Sequence, residues 1–327
     1  MTGDVLPVSS LTARADSMLV PGDQLEHLCS SAQHDLILVS PFIKVNALER
    51  VLRAVPHHVS ITCVTRWGLE EIAAGVSDIE VWLVLQQRPS TTLWLRADLH
   101  AKFYRADQTC LVGSANLTLT ALGWTFSPNF EVLVTLPSDY DEIRDFETQL
   151  FTKCIPVDQQ LFERFRASVD LMDTSRIYVW PDNIVSVPNS LSLRDTWLPS
   201  LRNPDMLYAG YVGDWDRLTI PSREASVTDL NALNIPAGLS RQAFEAYVGV
   251  TLLQMPLIQR LDQFVEIPQR FGAVSNLLST LPCAEAMGFD SDRTWQTTIR
   301  WLLHFLGDRY RLKVPNHSEV FEKIRTQ

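Results

Sequence analysis

The strongest constraint on the fold is the way the first half of the chain alternates short apolar runs with amphipathic ones. Leu36 to Ser40 is a compact apolar run stopped by Pro41, after which Leu48, Val51 and Leu52 recur at helical spacing. This pattern predicts a strand followed by a helix. Val59 to Val64 reads as a second strand, Leu69 to Ala74 as a short helix, and Ile79 to Leu85 as a third strand. A β-α-β-α-β succession buries its apolar surface by laying helices on a sheet, so an α/β domain is expected. Farther on, Ala101 to Tyr104 and Thr109 to Val112 are β-rich runs separated by a short polar stretch, which predicts a hairpin. A helical turn over Leu117 to Leu122, a strand over Phe130 to Leu136, and helix from Tyr140 to Leu171 with a break near Pro156 complete this half.

Beyond Asp173 the texture changes. Prolines interrupt short apolar pieces from Pro181 to Pro236, and helical patterns return over Ser240 to Val265 and Asp292 to Leu306. The expected division is a first domain over residues 1–172 and a second, mostly helical α+β domain over 173–327. Its last part alternates in a telling way. Trp295, Ile299, Leu302 and Leu306 share one helical face, with Arg293, Gln296, Arg300 and His304 on the other; then Arg309, Arg311 and Lys313 alternate with Tyr310, Leu312 and Val314. A basic helix face followed by a basic strand face predicts a winged-helix-like contact with nucleic-acid phosphates, against the competing reading of an ordinary solvated face.

Charge limits what the chain can bind. With 28 Lys and Arg against 38 Asp and Glu the net charge is −10, which excludes coating nucleic acid by bulk electrostatics. A polyanionic ligand therefore needs a local basic site, and the stretch from Arg293 onward is the one clearly basic region. The five cysteines are scattered and odd in number, with no C-x-x-C pair, so neither a disulfide framework nor a zinc knuckle is expected. His57 and His58 precede Cys63 at strand-like spacing, but no further ligand completes a metal set, and neither metal nor cofactor is expected. No apolar run is long enough for a membrane span and the first residues lack a signal-peptide pattern, so a cytoplasmic protein without a membrane partner is expected.

One segment carries chemistry: His100, Lys102, Asp107, Gly113, Ser114 and Asn116, in the pattern H-x-K-x4-D-x5-G-S-x-N. At ordinary residue frequencies its chance occurrence in such a chain is on the order of one in 10,000. On an extended strand His100 and Lys102 project from one face, an imidazole beside an ammonium. A neutral imidazole attacks phosphorus, and the cation holds the non-bridging oxygens that gain charge in the transition state. Gly113 permits a tight turn, and Ser114 and Asn116 offer further hydrogen bonds to the same oxygens.

These residues resemble the HKD motif of the phospholipase D superfamily. Ser40-Pro41-Phe42 and Asn129-Phe130-Glu131 extend the resemblance over residues 20–155. It implies a phospholipase D-like mixed sheet and a metal-independent phosphodiesterase in which His100 forms a phosphohistidine and a second histidine protonates the leaving oxygen. It also implies that Lys102, Ser114 and Asn116 bind phosphate, that Glu131 accepts a hydrogen bond from a histidine, and that Asp107 has a structural role beside the site. Family sites use two motifs, whereas neither His304 nor His317 begins a second H-x-K. A homodimer sharing one composite site is therefore expected.

Single-motif members that this chain resembles include small bacterial nucleases and a restriction endonuclease with a C-terminal DNA-recognition domain. The resemblance thus implies a nuclease, with DNA preferred to RNA, in bacterial restriction or antiphage defence beside other defence proteins. Two alternatives stay open: a phospholipid phosphodiesterase, and a non-catalytic nucleic-acid-binding or scaffold subunit. Arg66, with Trp67, follows the second strand and is a candidate for the substrate groove, against a role covering the sheet edge. Trp180, Trp197, Trp215, Trp295 and Trp301 are candidates for base stacking, against burial in a core.

Overall fold

The computed structural model describes residues 20–172, 194–281, 284, 289–315 and 319–324. The chain divides into two compact units, Met1–Trp67 with Gly75–Val157, and Gly68–Ala74 with Asp158–Gln327. The boundary expected at residue 172 falls later than the division observed, because residues 158–172 pack with the second unit.

The first unit is built on a seven-stranded mixed sheet in the order β6-β5-β4-β1-β2-β3-β7. Its strands are β1 (Asp35–Val39), β2 (Ser60–Thr65), β3 (Thr91–Leu95), β4 (Lys102–Ala106), β5 (Thr109–Gly113), β6 (Leu133–Pro137) and β7 (Ile155–Pro156). β1, β2 and β3 run parallel, while β4 returns antiparallel beside β1. Helices α1 (Pro21–Ser31) and α2 (Val45–Ala54) flank it. The apolar spacing of α2 resolves as predicted: Ala47, Leu48 and Val51 are buried. β1 is central and buried on both faces, so it reads as a continuous apolar run rather than an alternation.

One expectation is corrected here. Ile79 to Leu85 is not a strand: residues Val81–Gln86 form helix α4, after the short helix α3 (Leu69–Ala73). Ile79, Trp82 and Leu85 are buried at a three-residue, helical spacing, which so short an apolar run does not distinguish from a strand in sequence. The third parallel strand lies farther on, in Thr91–Leu95, entered through Ser90 in the left-handed region (φ 58°). Leu117 to Leu122 forms a turn, as expected, closed by the Leu122 amide donating to the Thr118 carbonyl oxygen at 3.0 Å and tied down by a parallel bridge from Leu117 to Ile43 and by the Leu122 carbonyl, which accepts from the Gly22 amide at 2.8 Å.

After β6 the unit ends with α5 (Asp141–Leu150) and β7. The second unit is mainly helical: α6 (Gln159–Asp170), α7 (Leu207–Tyr211), α8 (Ile220–Leu233), α9 (Arg241–Gln254), α10 (Pro256–Phe264), α11 (Phe271–Ser279) and α12 (Ser291–Phe305). Pro256 divides the helical pattern predicted over Ser240 to Val265, since its ring can begin a helix but not continue one. A three-stranded antiparallel sheet closes the unit, with β8 (Gln269–Arg270), β9 (Tyr310–Lys313) and β10 (Val320–Lys323) in the order β8-β10-β9. Trp197, Trp295 and Trp301 are core residues, whereas Trp215 is partly exposed, and Trp180 lies outside the described residues. Among the described residues no helix is long and apolar enough to cross a membrane.

Candidate active site

The β4–β5 hairpin brings the motif together. Its register pairs Lys102 with Gly113 and Ala106 with Thr109. The residues just before β4 and just after β5 therefore meet at the open end of the hairpin, with Asp107 and Gln108 at its turn. His100, Lys102 and Ser114 line one cavity of about 460 Å³, whose remaining walls include Ala101, Phe103, Val112, Ile143 and Phe146. Its walls are mostly apolar, with the imidazole, ammonium and hydroxyl as polar exceptions.

His100 lies ahead of the strand proper and is exposed; its ring has no hydrogen-bond partner among the described residues. Lys102 is the opposite case, only 8% exposed, with its Nζ donating to the His100 carbonyl oxygen at 3.0 Å. That bond ties the ammonium to the backbone of the residue that carries the imidazole. Lys102 also stands in the wall of the cavity that His100 and Ser114 line.

Ser114 donates to Glu131 Oε2 in a short hydrogen bond, and its Oγ accepts from the Val132 amide at 3.1 Å. The other carboxylate oxygen of Glu131 accepts from Asn129 Nδ2 at 3.2 Å. Within this chain Glu131 thus serves Ser114 and Asn129, and no hydrogen bond joins it to His100. Gly113 is required for a reason other than the expected tight turn. A Cβ there would lie 1.9 Å from the Val132 carbonyl oxygen, so β6 approaches β5 more closely than any side chain permits.

Asn116 is held from a different direction. Ser40, fully buried at the end of β1, places its Oγ 3.2 Å from Asn116 Oδ1, accepts from the Leu117 amide at 3.1 Å and lies 2.8 Å from the Phe42 carbonyl oxygen. Ser40 is a positioning residue to which the sequence assigned no role. The Ser-Pro-Phe step after a buried strand was its only signal. Arg66 Nη1 donates to the Leu99 carbonyl oxygen at 3.0 Å, and its guanidinium lies over the Phe42 ring at 5.2 Å. Arg66 therefore braces the segment entering His100.

Asp107 is not brought to the cavity. It occupies the far turn in the left-handed region (φ 49°), where its carboxylate accepts from the Gln33, His34 and Asp35 amides at 2.7, 3.0 and 3.2 Å. Burial by itself would raise its pKa, but these backbone donors outweigh it and hold the carboxyl below its ordinary value. Such a group anchors the start of β1 and is poorly suited to proton transfer at His100.

The basic residues of the second unit separate into two sets. Arg309 is 8% exposed, its Nε and Nη2 each 3.0 Å from the Asp262 carboxylate and its Nη1 2.9 Å from Gln160 Oε1. Arg311 and Lys313 both pair with Glu322 on the neighbouring strand. The expected basic strand face is thus largely neutralised by Asp262 of α10 and by Glu322 of its own sheet. Arg293 and Arg300, on α12, have no side-chain ion pair among the described residues. Among the described residues, no three His, Cys, Asp or Glu side chains group as a metal site would need.

No family model and no curated protein matches this chain. Among solved structures, NucT from Helicobacter pylori is similar over 41% of this chain and 89% of its own length, at 17% identity and a TM-score of 0.32. Phosphatidylserine synthase of Haemophilus influenzae Rd KW20 is similar over 94% of this chain and 81% of its own, at 12% identity and a TM-score of 0.32. TrmBL2, an archaeal chromatin protein described as showing a novel mode of DNA binding, is similar over 41% of this chain, at 14% identity and a TM-score of 0.29. The likeness spans about half of TrmBL2, 49% of its length. Similarity at this level assigns neither a family nor a function.

Proposed function

We propose that this chain is a single-motif member of the phospholipase D superfamily and acts as a metal-independent phosphodiesterase on nucleic acid. The observation that carries this reading is the shared cavity at the open end of the β4–β5 hairpin, where an exposed His100 imidazole stands beside the buried Lys102 ammonium and the Ser114 hydroxyl. In the proposed reaction His100 attacks phosphorus, forming an N–P bond as the P–O bond to the leaving group breaks. A protonated imidazole from a second copy of the chain gives its proton to the departing oxygen. That imidazole then takes a proton from water, the hydroxide attacks phosphorus, and the N–P bond breaks to release a phosphomonoester and His100. Lys102 balances charge on the non-bridging oxygens, and Asn116 offers its amide to them.

One chain supplies one such imidazole, so a second copy completes the site. Phe126 and Phe130 are fully exposed, and Val132 and Val134 are half-exposed along the free edge formed by β6. Exposed apolar side chains on and just before the edge strand β6 are what a second copy would cover.

The apolar cavity wall favours a second reading, a phospholipid diester whose hydrocarbon lies against Ala101, Phe103, Val112, Ile143 and Phe146. Cleavage assays in excess EDTA separate the two, with single- and double-stranded DNA, RNA and phospholipid vesicles tested in parallel against wild type and His100→Ala. Cutting of nucleic acid that the substitution abolishes supports the first reading, and hydrolysis of lipid alone supports the second. Inactivity on every diester with retained binding would reject both in favour of a scaffold or binding subunit. Light scattering that finds an active monomer would reject the shared site.

A further inference from the structure

The closing segment of the second unit runs α10, β8, α11, α12, then the hairpin β9–β10, with β10 seated between β8 and β9. A helix pair followed by a hairpin that joins a strand preceding the pair is the connectivity of a winged helix, a form of helix-turn-helix. In that arrangement the second helix of the pair, here α12, is the one that enters the DNA major groove.

The burial of α12 suits this role. Trp295, Thr297, Thr298, Ile299, Trp301, Leu302 and Phe305 are buried, and Trp301 Nε1 donates to the Leu201 carbonyl oxygen at 2.7 Å. The helix is therefore fixed on every side but one. At 100° per residue, Arg293, Gln296, Arg300 and His304 fall within a single narrow stripe on the remaining side. Arg293, Gln296 and His304 are exposed and Arg300 is partly so.

The charge on this stripe is available. The nearest acid on the helix, Asp292, accepts a 2.5 Å hydrogen bond from the buried Ser275 of α11. Its carboxylate is thereby directed back at the helix pair. Arg309, Arg311 and Lys313 are engaged by carboxylates, whereas Arg293 and Arg300 carry no such partner among the described residues. From Arg293 to His304 the stripe is roughly 16 Å long, and a helix about 10–12 Å across fits a major groove about 12 Å wide.

We infer that α12 is a duplex-DNA docking helix, with Arg293 and Arg300 holding backbone phosphates on either side of Gln296. This surface is independent of the chemistry proposed at His100. The test uses the full chain carrying His100→Ala, so that no cleavage can intervene, and a fluorescent duplex of about 25 base pairs in EDTA. Anisotropy is followed from about 50 to about 200 mM salt. The expected result is binding that Arg293→Ala with Arg300→Ala weakens about tenfold or more, with the salt slope reduced by roughly 2. Arg293→Lys with Arg300→Lys should keep most of the affinity and the slope. A charge-matched pair elsewhere in the unit, Arg217→Ala with Arg241→Ala, should bind as the parent does. Failure of the parent to bind duplex DNA, unchanged binding by the alanine pair, or an equal loss in the control pair would each overturn the inference.

Discussion

Ser40 Oγ stands 3.2 Å from Asn116 Oδ1 while accepting the Leu117 amide at 3.1 Å, so the residue that follows a buried central strand sets the position of the Asn116 amide. Ser40→Ala would leave the Leu117 amide and the Phe42 carbonyl without this partner, at an expected cost of about 1–3 kcal/mol. On the proposed function it should also lower kcat on a diester more than it raises KM. Urea denaturation with steady-state kinetics checks both. A destabilised variant with wild-type kcat would show that Asn116 is not placed by Ser40.

Asp107→Ala is expected to weaken the fold without touching the chemistry. Three backbone amides lose their acceptor, a loss of about 1–3 kcal/mol in denaturant unfolding. Because the folded carboxyl titrates below its ordinary value, the stability it confers is complete above that ordinary value. It disappears as pH falls through the lower folded one. Diester turnover by the folded fraction should match wild type, and a large drop in kcat would return Asp107 to the catalytic set.

Gly113→Ala tests the close approach of β5 and β6. With a Cβ 1.9 Å from the Val132 oxygen, β6 must move away, for an expected loss of about 2 kcal/mol or more. Thermal unfolding reads the loss. The same movement should loosen Glu131 from Ser114, visible as altered exchange of the Val132 amide that Ser114 accepts.

Asp262, on α10, is the acidic centre of a cluster with Arg309, Tyr310 and Lys323. Burial would raise its pKa, but Arg309 and Lys323 outweigh this and hold it below the ordinary carboxylate value. The Tyr310 hydroxyl also donates to it. Asp262→Ala leaves the buried Arg309 with only Asp158, 3.9 Å away, as a carboxylate partner, with an expected loss of about 3 kcal/mol at neutral pH. The wild-type contribution is present above the ordinary carboxylate pKa and is lost on acidification through the lower folded value. Denaturation of both proteins at neutral and strongly acid pH should show the gap between them closing.

Much of the first unit was legible in the sequence because its strands are bounded by strong breaks and its central strand is uniformly apolar. The hairpin of the motif was legible for the same reason, and it places His100, Lys102 and Ser114 on one cavity. Ile79 to Leu85 was misread because a seven-residue apolar run is too short for its period to decide between strand and helix. Thr91–Leu95 was missed because it follows that run through an unusual serine turn. The fate of Arg309, Arg311 and Lys313 could not be read locally. Their partners Asp262 and Glu322 reach them only after the sheet has formed.

The hairpin that carries the motif is anchored at one end and, on the proposed function, reactive at the other. Five residues of strand, about 17 Å, separate the turn held by Asp107 from the end that presents His100. Substitutions at the reactive end can therefore change or abolish chemistry while the clamp on β1 stays intact. Such an arrangement lets a lineage trade one reaction for another, or for none, and still inherit the scaffold.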